Sequence, residues 1–179
     1  LLLFRHAALK DAEACAEIYR PYVEKTSVTF EYTPPDQTEI ARRMDCYTPT
    51  FPWIVAQAGE KVIGYAYGSP QNIREAYQWN VDLAIYLHEE ARGRGIGRLL
   101  YGYLLELLTM QGYYRAIGIV THPNPGSEAL HRAMGFVPVA RWEKAGYKLG
   151  KWHDVQWFQK QIAPCPAHPR PPVPVTQLD

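Results

Sequence analysis

A short turn rich in glycine and arginine is the part of the chain with the clearest chemical use. It reads Arg92-Gly93-Arg94-Gly95-Ile96-Gly97-Arg98 and lies between a strand-like run and a strongly helical pattern. Glycine lets the backbone approach a ligand closely, and the unpaired N–H groups of a first helical turn point at an anion. The spacing matches neither the Gly-x-x-x-x-Gly-Lys-Ser/Thr phosphate loop nor the Gly-x-Gly-x-x-Gly dinucleotide fingerprint with its acidic partner about 20 residues on. The turn is therefore either a phosphate-binding turn of another kind or an ordinary solvated turn, and the rest of the chain must decide between them.

Regular elements flank this turn on both sides. Before it, apolar residues alternate with others over residues 77–87, which predicts a half-buried strand. After it, apolar residues from Ile96 to about Met110 follow a helical period. A strand over 114–120, a helix that begins at Asn124-Pro125-Gly126 and ends at Gly135, and two closing strands complete this half of the chain.

The first half of the chain predicts a strand, two helices and a hairpin. The helix that begins after Asp11 has apolar residues three and four apart, and Pro21 is expected to kink or end it. A second helix begins after Pro34-Pro35-Asp36, and two short strands join at Ala58-Gly59-Glu60. The full order, β-α-α-β-β-β-α-β-α-β-β, predicts an α/β (α+β) fold with a mixed central sheet and helices on both faces.

Composition is that of one ordinary globular domain. Of 179 residues, 47% are hydrophobic and 21% charged, and the net charge is +1. No long basic run suits nucleic acid, and no apolar stretch approaches the roughly 20 residues of a membrane span. We therefore expect no nucleic-acid or membrane partner. The three cysteines lack metal-ligand spacing and fit reduced thiols, so we also expect a cytoplasmic protein without a metal site. Prolines crowd residues 164–174, so 163–179 is expected to be an extended strap or disordered, beyond a domain of residues 1–162.

Several segments, taken in order, carry a family resemblance. Arg92, Gly95 and Gly97 read Arg-x-x-Gly-x-Gly, and Asn124-Pro125-Gly126-Ser127 follows after the next predicted strand. The chain resembles the GCN5-related N-acetyltransferases (GNAT), a family that uses acetyl-CoA, and within it the phosphinothricin and methionine sulfoximine acetyltransferase branch. The resemblance runs from residue 4 to about 162 and implies the GNAT fold. Its further marks are Thr29-Phe30-Glu31, Pro52-Trp53-Ile54-Val55-Ala56, Gly64-Tyr65-Ala66-Tyr67, Arg74 with Tyr77, and Gly146-Tyr147-Lys148-Leu149-Gly150-Lys151-Trp152-His153-Asp154-Val155.

Asp82 stands where this branch carries its proposed general-base Glu, so the resemblance implies that Asp82 is catalytic. An amine must be neutral to attack a thioester, and roughly a tenth of an α-amino group with a pKa of about 7.7–8.0 is already neutral at pH 7. The base therefore needs to supply only ~1–2 kcal/mol and positioning. Because Asp is one methylene shorter than Glu, we expect a water relay. The alternative is a strand Asp paired with a nearby Lys or Arg.

His131 is the second candidate catalytic residue. It shares an apolar helical stripe with Ser127, Leu130 and Met134, which is typical of a hydrogen-bonded core histidine. Many acetyltransferases place a Tyr at this position, where it can protonate the departing CoA thiolate, and the resemblance implies that His replaces it in this branch. With ordinary pKa values of about 6.5 for His and 8.5 for a thiol, His131 could do the same. Both interpretations stay open.

The resemblance also implies a set of acetyl-CoA contacts. The pantetheine arm would pair with the strand at residues 85–87, whose N–H groups would also stabilise the carbonyl oxygen as charge develops. The pyrophosphate would bind the turn, and Asn124 would bond the amides of the arm, although an N-cap role is equally consistent. The predicted cofactor-binding residues are Ile85, Tyr86, Leu87, Arg92, Gly93, Arg94, Gly95, Ile96, Gly97, Arg98, Asn124 and Ser127.

The predicted acceptor site consists of Phe30, Asn72, Arg74, Tyr77 and Tyr86. Arg74 and Tyr77 match positions that bind the acidic groups of the amino acid in this branch, and a guanidinium suits a carboxylate or phosphinate by two parallel bonds. Asn72 stands where herbicide-inactivating members carry Lys, which favours singly anionic methionine sulfoximine or sulfone over doubly anionic phosphinothricin. The alternatives are an exposed loop charge for Arg74 and a core role for the aromatic residues.

The sequence thus predicts an enzyme, an acetyl-CoA-dependent N-acetyltransferase acting by direct amine attack on the α-amino group of a small amino-acid-like acid. The alternatives are a GNAT protein that acetylates a protein N-terminus or a polyamine, and a non-catalytic CoA-binding regulatory module. The resemblance also implies a homodimer with the acceptor pocket near the interface. The proline-rich tail looks like the extension on members that confer herbicide resistance.

Overall fold

The computed structural model describes residues 1–178, so Asp179, the last residue of the predicted extension, lies outside the described residues. Seven strands form one mixed sheet in the order β1-β2-β3-β4-β5-β7-β6. The predicted order of strands and helices is confirmed. The strands are β1 (Leu2–His6), β2 (Trp53–Ala58), β3 (Lys61–Pro70), β4 (Asn80–Leu87), β5 (Arg115–His122), β6 (Val137–Lys148) and β7 (Lys151–Gln161), and the helices are α1 (Ala12–Lys25), α2 (Gln37–Tyr47), α3 (Ile96–Gln111) and α4 (Pro125–Ala133).

Helices cover both faces of the sheet, as predicted. On one face, α1 and α2 bury Ile18, Val23 and Met44 against Trp53 and Tyr65 of the first strands. On the other face, the apolar side of α3 packs over β2 to β5 and β7 with Leu100, Leu104, Leu108, Val81 and Phe158 fully buried. The helical period of α3 therefore predicts its buried side correctly, because residues three and four apart lie on one face.

The expectation that Pro21 kinks or ends its helix is wrong in its stronger form. Helix α1 continues through Pro21 to Lys25. Proline removes one helical hydrogen bond, but the residues after it are held by tertiary packing. Val23 is 1% exposed, and the Tyr22 ring packs edge-to-face on Tyr86 at 5.3 Å between centroids.

The sheet opens at its centre. Strands β4 and β5 run parallel but pair only over residues 80–83 and 115–118. Beyond that point β4 continues to Leu87 along β3, while β5 continues to His122 along β7. We call the gap between residues 84–87 of β4 and 119–122 of β5 the β4–β5 split. It leaves one side of each strand without a strand neighbour.

The proline-rich tail lies extended against the body, which is the first of the two predicted alternatives. Gln111, at the end of α3, donates from Nε2 to the carbonyl oxygens of Val173 at 2.7 Å and Thr50 at 2.6 Å. The Trp79 indole N–H donates to the Arg170 carbonyl at 2.8 Å. These bonds fix the tail across the end of the sheet at which β4 begins.

Residues 1–178 contain neither a helix suited to crossing a membrane nor a group of side chains suited to holding a metal ion. No helix there combines the length and the hydrophobicity that a membrane crossing requires. No group of three or more His, Cys, Asp or Glu side chains there is arranged to hold a metal ion.

Candidate functional site

Backbone groups of β4 face into the β4–β5 split. The His88 N–H donates to the Ile63 carbonyl of β3 at 2.9 Å, and backbone pairing alternates along antiparallel strands. Ile85 and Leu87 therefore present their N–H and C=O groups to the β4–β5 split, whereas those of Tyr86 face β3. Of the three residues predicted to bind the pantetheine arm through the backbone, Ile85 and Leu87 therefore face the β4–β5 split and Tyr86 does not.

Tyr22 of α1 reaches into the outer end of the β4–β5 split. Its hydroxyl donates to the Leu87 carbonyl at 2.7 Å and accepts from the Leu87 N–H at 3.2 Å. The Arg92 guanidinium lies over its ring at 4.8 Å. Because the phenol occupies both backbone groups of Leu87, a ligand can pair there only if Tyr22 moves, and Ile85 is the open pair. Tyr22 was not predicted as a site residue, because it lies 65 residues from Leu87 in the chain and only the fold brings the two together.

The turn at residues 92–98 has the backbone of an anion-binding site. Gly93 and Gly95 have φ values of 69° and 77°, a left-handed conformation that side chains disfavour. Ile96 is buried and anchors the start of α3, while Arg92, Arg94 and Arg98 are exposed around it. Three arginines and the N-terminal end of a 16-residue helix together favour a ligand with several negative charges.

Asp82 is an orphaned carboxylate inside the protein. Its Oδ1 is inaccessible to solvent and has no hydrogen-bond partner among the described residues. Burial raises the pKa of Asp82 to about 7. No Lys or Arg of residues 1–178 pairs with it, so the alternative of a structural ion pair is not what the chain adopts. The strand period places Asp82 on the same face of β4 as Ala84 and Tyr86, and Tyr86 packs against the core formed with α1 and α2.

His131 is a core residue with both ring nitrogens bonded. Its Nδ1 lies 2.8 Å from the Ser127 carbonyl oxygen, which can only accept, so Nδ1 carries the proton. Its Nε2 then accepts from the Tyr101 hydroxyl at 3.1 Å. The ring is 3% exposed and sits on Gly118 of β5, where a Cβ would overlap the imidazole. Burial lowers the pKa of His131, so the neutral form predominates.

Asn124 has the N-cap role that the sequence left open. Its Oδ1 accepts from the Ser127 N–H at 3.2 Å, at the start of α4. Its Nδ2 donates to none of the described residues and stays available to a ligand. Ser127 contributes its carbonyl to His131, and its hydroxyl lies 3.4 Å from the same ring. Asn124 and Ser127 thus both shape the start of α4 beside the far end of β5.

The predicted acceptor residues fall into two groups. Asn72, Arg74 and Tyr77 belong to the loop between β3 and β4, where the Asn72 Oδ1 accepts from the Arg74 N–H at 3.0 Å. A cavity of about 240 Å³ lies beside this loop, and Pro172 of the tail contributes to its lining. Arg74 and Tyr77 are exposed. Within this chain the loop lies at the end of β4 opposite to the turn, and two residues separate it from Asp82.

Phe30 and Tyr86 differ from one another in packing. The Tyr86 ring is enclosed by Tyr19, Tyr22 and Tyr65 with centroids 4.7 to 5.4 Å apart, which fits the core alternative for this residue. Phe30 is 36% exposed and lies between α1 and α2 in the chain. Of the two predicted aromatic walls, Phe30 is the one with a surface open to a ligand.

Comparisons with known proteins agree on one family. A family model described as an acetyltransferase (GNAT) domain matches residues 4–157. Phosphinothricin N-acetyltransferase of Streptomyces viridochromogenes is 34% identical over 174 residues, which cover 97% of this chain and 94% of that one. L-methionine sulfoximine/L-methionine sulfone acetyltransferase of Pseudomonas aeruginosa is 28% identical over 92% of this chain and 97% of that one.

A solved structure extends the similarity to three dimensions. It is a GNAT superfamily phosphinothricin acetyltransferase from Sinorhizobium meliloti in complex with acetyl-CoA, and it is 38% identical. The match covers 89% of this chain and 88% of that chain with a TM-score of 0.86.

Proposed function

This chain belongs to the GNAT family of acetyltransferases and is an N-acetyltransferase that uses acetyl-CoA, and we propose that its acceptor is the α-amino group of a small amino-acid-like acid. Phosphinothricin, methionine sulfoximine and methionine sulfone define this acceptor class. The observation that carries the proposal is the unpaired carboxylate of the half-buried Asp82, whose Oδ1 is inaccessible to solvent, on the strand that borders the β4–β5 split. Such a group has no structural partner, and a base with a pKa near the working pH suits proton abstraction from an ammonium.

The residues present fit acetyl-CoA. The turn at 92–98 offers helical N–H groups and three arginines to the pyrophosphate, and Ile85 offers an unpaired N–H and C=O to the arm. The Asn124 amide nitrogen faces no described partner and can bond the arm from the other side of the split. When bound, acetyl-CoA supplies the activated acyl group. The residues of this chain then orient the amine, take its proton at Asp82 and donate hydrogen bonds from β4.

His131 has two possible functions, and we propose the structural one. Its bonded nitrogens and its burial mean that it holds the Tyr101 hydroxyl and the start of α4 in place beneath β5. Direct proton donation to a thiolate would require one of these bonds to break. Because a thiol has a pKa of about 8.5, its thiolate is only a modest base and can leave with little assistance from a proton donor.

Arg74 provides the first test of the acceptor class. We expect Arg74→Ala to raise KM for methionine sulfone about tenfold or more, because a guanidinium–carboxylate contact is a charge-assisted pair. KM for acetyl-CoA should stay unchanged. The matched control is Arg94→Ala in the turn, which should raise KM for acetyl-CoA and leave that of the acceptor. Steady-state CoA release measures both.

The same assay decides among acceptors. A panel of phosphinothricin, methionine sulfoximine, methionine sulfone, a polyamine and an N-terminal peptide should show turnover with the small acids. Because Asn72 supplies no cation, methionine sulfone is expected to exceed phosphinothricin in kcat/KM. CoA release with the peptide or polyamine alone would overturn the acceptor class, and release with none would favour a CoA-binding module. Turnover of phosphinothricin would inactivate it and give herbicide resistance.

We propose a homodimer, supported by apolar side chains exposed on the last two strands. Val137, Val139 and Trp142 of β6 and Trp152 of β7 are each at least half exposed. Exposed apolar surface of this extent favours association. Sedimentation equilibrium at micromolar concentration should give a dimer, and a monomer would contradict this.

We further propose that residues 1–162 form the catalytic domain and that 163–179 is an extension whose described part, 163–178, braces it. We also propose that the enzyme is cytoplasmic.

A further inference from the structure

Two segments that are far apart in the chain contact one another. The first is Thr29-Phe30-Glu31-Tyr32 between α1 and α2, and the second is the β6–β7 hairpin end, residues 146–153. The Lys148 ammonium donates to the Thr29 carbonyl at 2.7 Å, and the Tyr32 hydroxyl donates to the Tyr147 carbonyl at 2.6 Å. We call this pair of segments the loop–hairpin clamp. The two segments are more than 110 residues apart in the chain, yet they form one structural unit.

Gly146 gives the clamp its close approach. A Cβ at this position would overlap the Phe30 ring, with three ring carbons as its nearest neighbours. No side chain larger than a hydrogen atom fits between β6 and the ring as they stand. The Phe30 ring therefore lies directly on the strand, and its remaining 36% exposed surface faces outward.

Lys148 is a buried lysine whose ammonium has one hydrogen bond, to the Thr29 carbonyl. The residue is 5% exposed, and no carboxylate of the described residues forms an ion pair with it. Burial lowers the pKa of Lys148, and Glu31 opposes this effect from a distance. The Lys148 side chain is therefore held against the loop by its packing and by its bond to the Thr29 carbonyl, not by an ion pair. The backbone of Lys148 is itself held, because His153 donates from Nε2 to its carbonyl at 2.9 Å.

The other side of Phe30 is fixed as well. Arg43 of α2 forms two parallel bonds to the Glu31 carboxylate at 2.8 and 2.9 Å. The Tyr19 hydroxyl lies 2.9 Å from Glu31 and 2.6 Å from the Thr29 hydroxyl. Both neighbours of Phe30 in the chain are thus held by charged or buried partners, which leaves its ring one position.

We propose that Lys148 and Gly146 are positioning residues for acceptor binding, which hold Phe30 as a rigid wall of the acceptor pocket. This inference rests on the proposed function and on the prediction that Phe30, which is 36% exposed, lines the acceptor pocket. It gives a physical reason for two sequence motifs that occur together, since Thr29-Phe30-Glu31 and Gly146-Tyr147-Lys148 are the two halves of one contact. The wall is preorganised, so the acceptor does not have to order the loop when it binds.

Lys148→Met tests the clamp, with Lys151→Met as its matched control. Lys151 is an exposed lysine of the same hairpin, so its loss removes the same charge without touching the loop. We expect Lys148→Met to raise KM for the acceptor about tenfold and to change KM for acetyl-CoA by less than about twofold. Lys151→Met should change neither. Equal increases in both KM values, or no increase in Lys148→Met, would overturn the proposal.

A double-mutant cycle with Phe30→Ala shows whether Lys148 acts through the ring. If it does, Lys148→Met should add less than about twofold to the acceptor KM once Phe30 is gone, whereas independent effects would multiply. Multiplying effects would contradict the positioning role.

Amide hydrogen exchange tests the clamp without any turnover. Residues 29–32 should exchange faster in Lys148→Met than in the wild type or in Lys151→Met, and equal exchange would refute the clamp. Failure of the proposed function has a different signature, because the wild type itself would then release no CoA with any small acid while the exchange difference remained.

Discussion

Replacing Asp82 with asparagine is expected to lower kcat/KM for the acceptor by about 10²–10⁴-fold, which is the range that a positioned general base contributes. Asparagine has nearly the same shape, so the packing around residue 82 should persist. It cannot accept a proton from the ammonium, whether directly or through water. KM for acetyl-CoA should stay unchanged, because the turn at 92–98 and the backbone of Ile85 are untouched. Steady-state CoA release with methionine sulfone as acceptor measures both quantities.

The pH profile provides the sharper signature of Asp82. Burial raises its pKa to about 7, and the base works in the ionised form, so kcat/KM should rise with pH up to about 7 and then level as far as this group controls it. Asp82→Asn should lose this step. Asp82→Glu is the control, because it restores the longer side chain and should retain most of the activity. A full rate in Asp82→Asn, or an unchanged acid limb, would show that Asp82 is not the base.

The raised pKa of Asp82 also implies that Asp82→Asn raises the free energy of unfolding while it lowers the activity. An acid whose folded pKa exceeds its unfolded value binds its proton more tightly in the folded state, so the stability falls as the pH rises from about 4 to about 7. Asp82→Asn should therefore be more stable than the wild type at pH 8, on the order of a few kcal/mol in urea unfolding. A variant that is more stable but inactive is the expected behaviour of a site that sacrifices stability for catalysis.

Sequence patterns within short segments correctly predicted the structural features that those segments determine by themselves. The glycine turn, the strand before it and the helix after it follow from spacing alone, because left-handed glycines, alternation and a 3.6-residue period are properties of short segments. The face of β4 that carries Asp82 was predictable for the same reason. The break of parallel pairing after Leu83 was not, since it depends on how β5 and β7 twist away from β4.

The surroundings of a side chain could not be predicted where they depend on residues distant in the chain. Tyr22 lies in α1 as an ordinary apolar-stripe residue, and only the fold brings its hydroxyl to Leu87. Asp82 shows no sequence sign of being unpaired, because the absence of a partner is decided by every element around it. Pro21 predicted a helix end from local geometry, but the packing of Val23 outweighed the lost hydrogen bond.

His131 shows how one pattern can hold two functions until its partners are known. The stripe of Ser127, Leu130 and Met134 gave its direction toward the core. The partners that decide its chemistry are Tyr101, on another helix, and Gly118, on a strand. Neither can be paired with His131 from the sequence, because spacing reports only neighbours on the same element.

His131→Ala is expected to destabilise the protein by about 3 kcal/mol, because it leaves a cavity beside Phe158 and removes the partners of the Tyr101 hydroxyl and the Ser127 carbonyl. For a chain of this size that corresponds to a Tm lowered by roughly 6–12 °C. Well below that Tm, kcat should fall less than about tenfold and the shape of its pH profile should persist, whereas loss of a general acid would cost about 10²–10⁴-fold.

Gly118→Ala separates packing from proton transfer at the same place. It keeps the imidazole but puts a methyl group where the ring now lies, so it should also lower Tm by several degrees. The exposed His6→Ala is the control for removing a histidine, and its Tm and kcat should match those of the wild type. A His131→Ala enzyme that keeps its Tm but loses kcat and its alkaline limb would instead make His131 the proton donor. The thermal shift and the pH–rate profile of the two variants therefore distinguish a core histidine, whose neutral ring braces β5 against α4, from an acid that must open its bond to Tyr101 in every turnover.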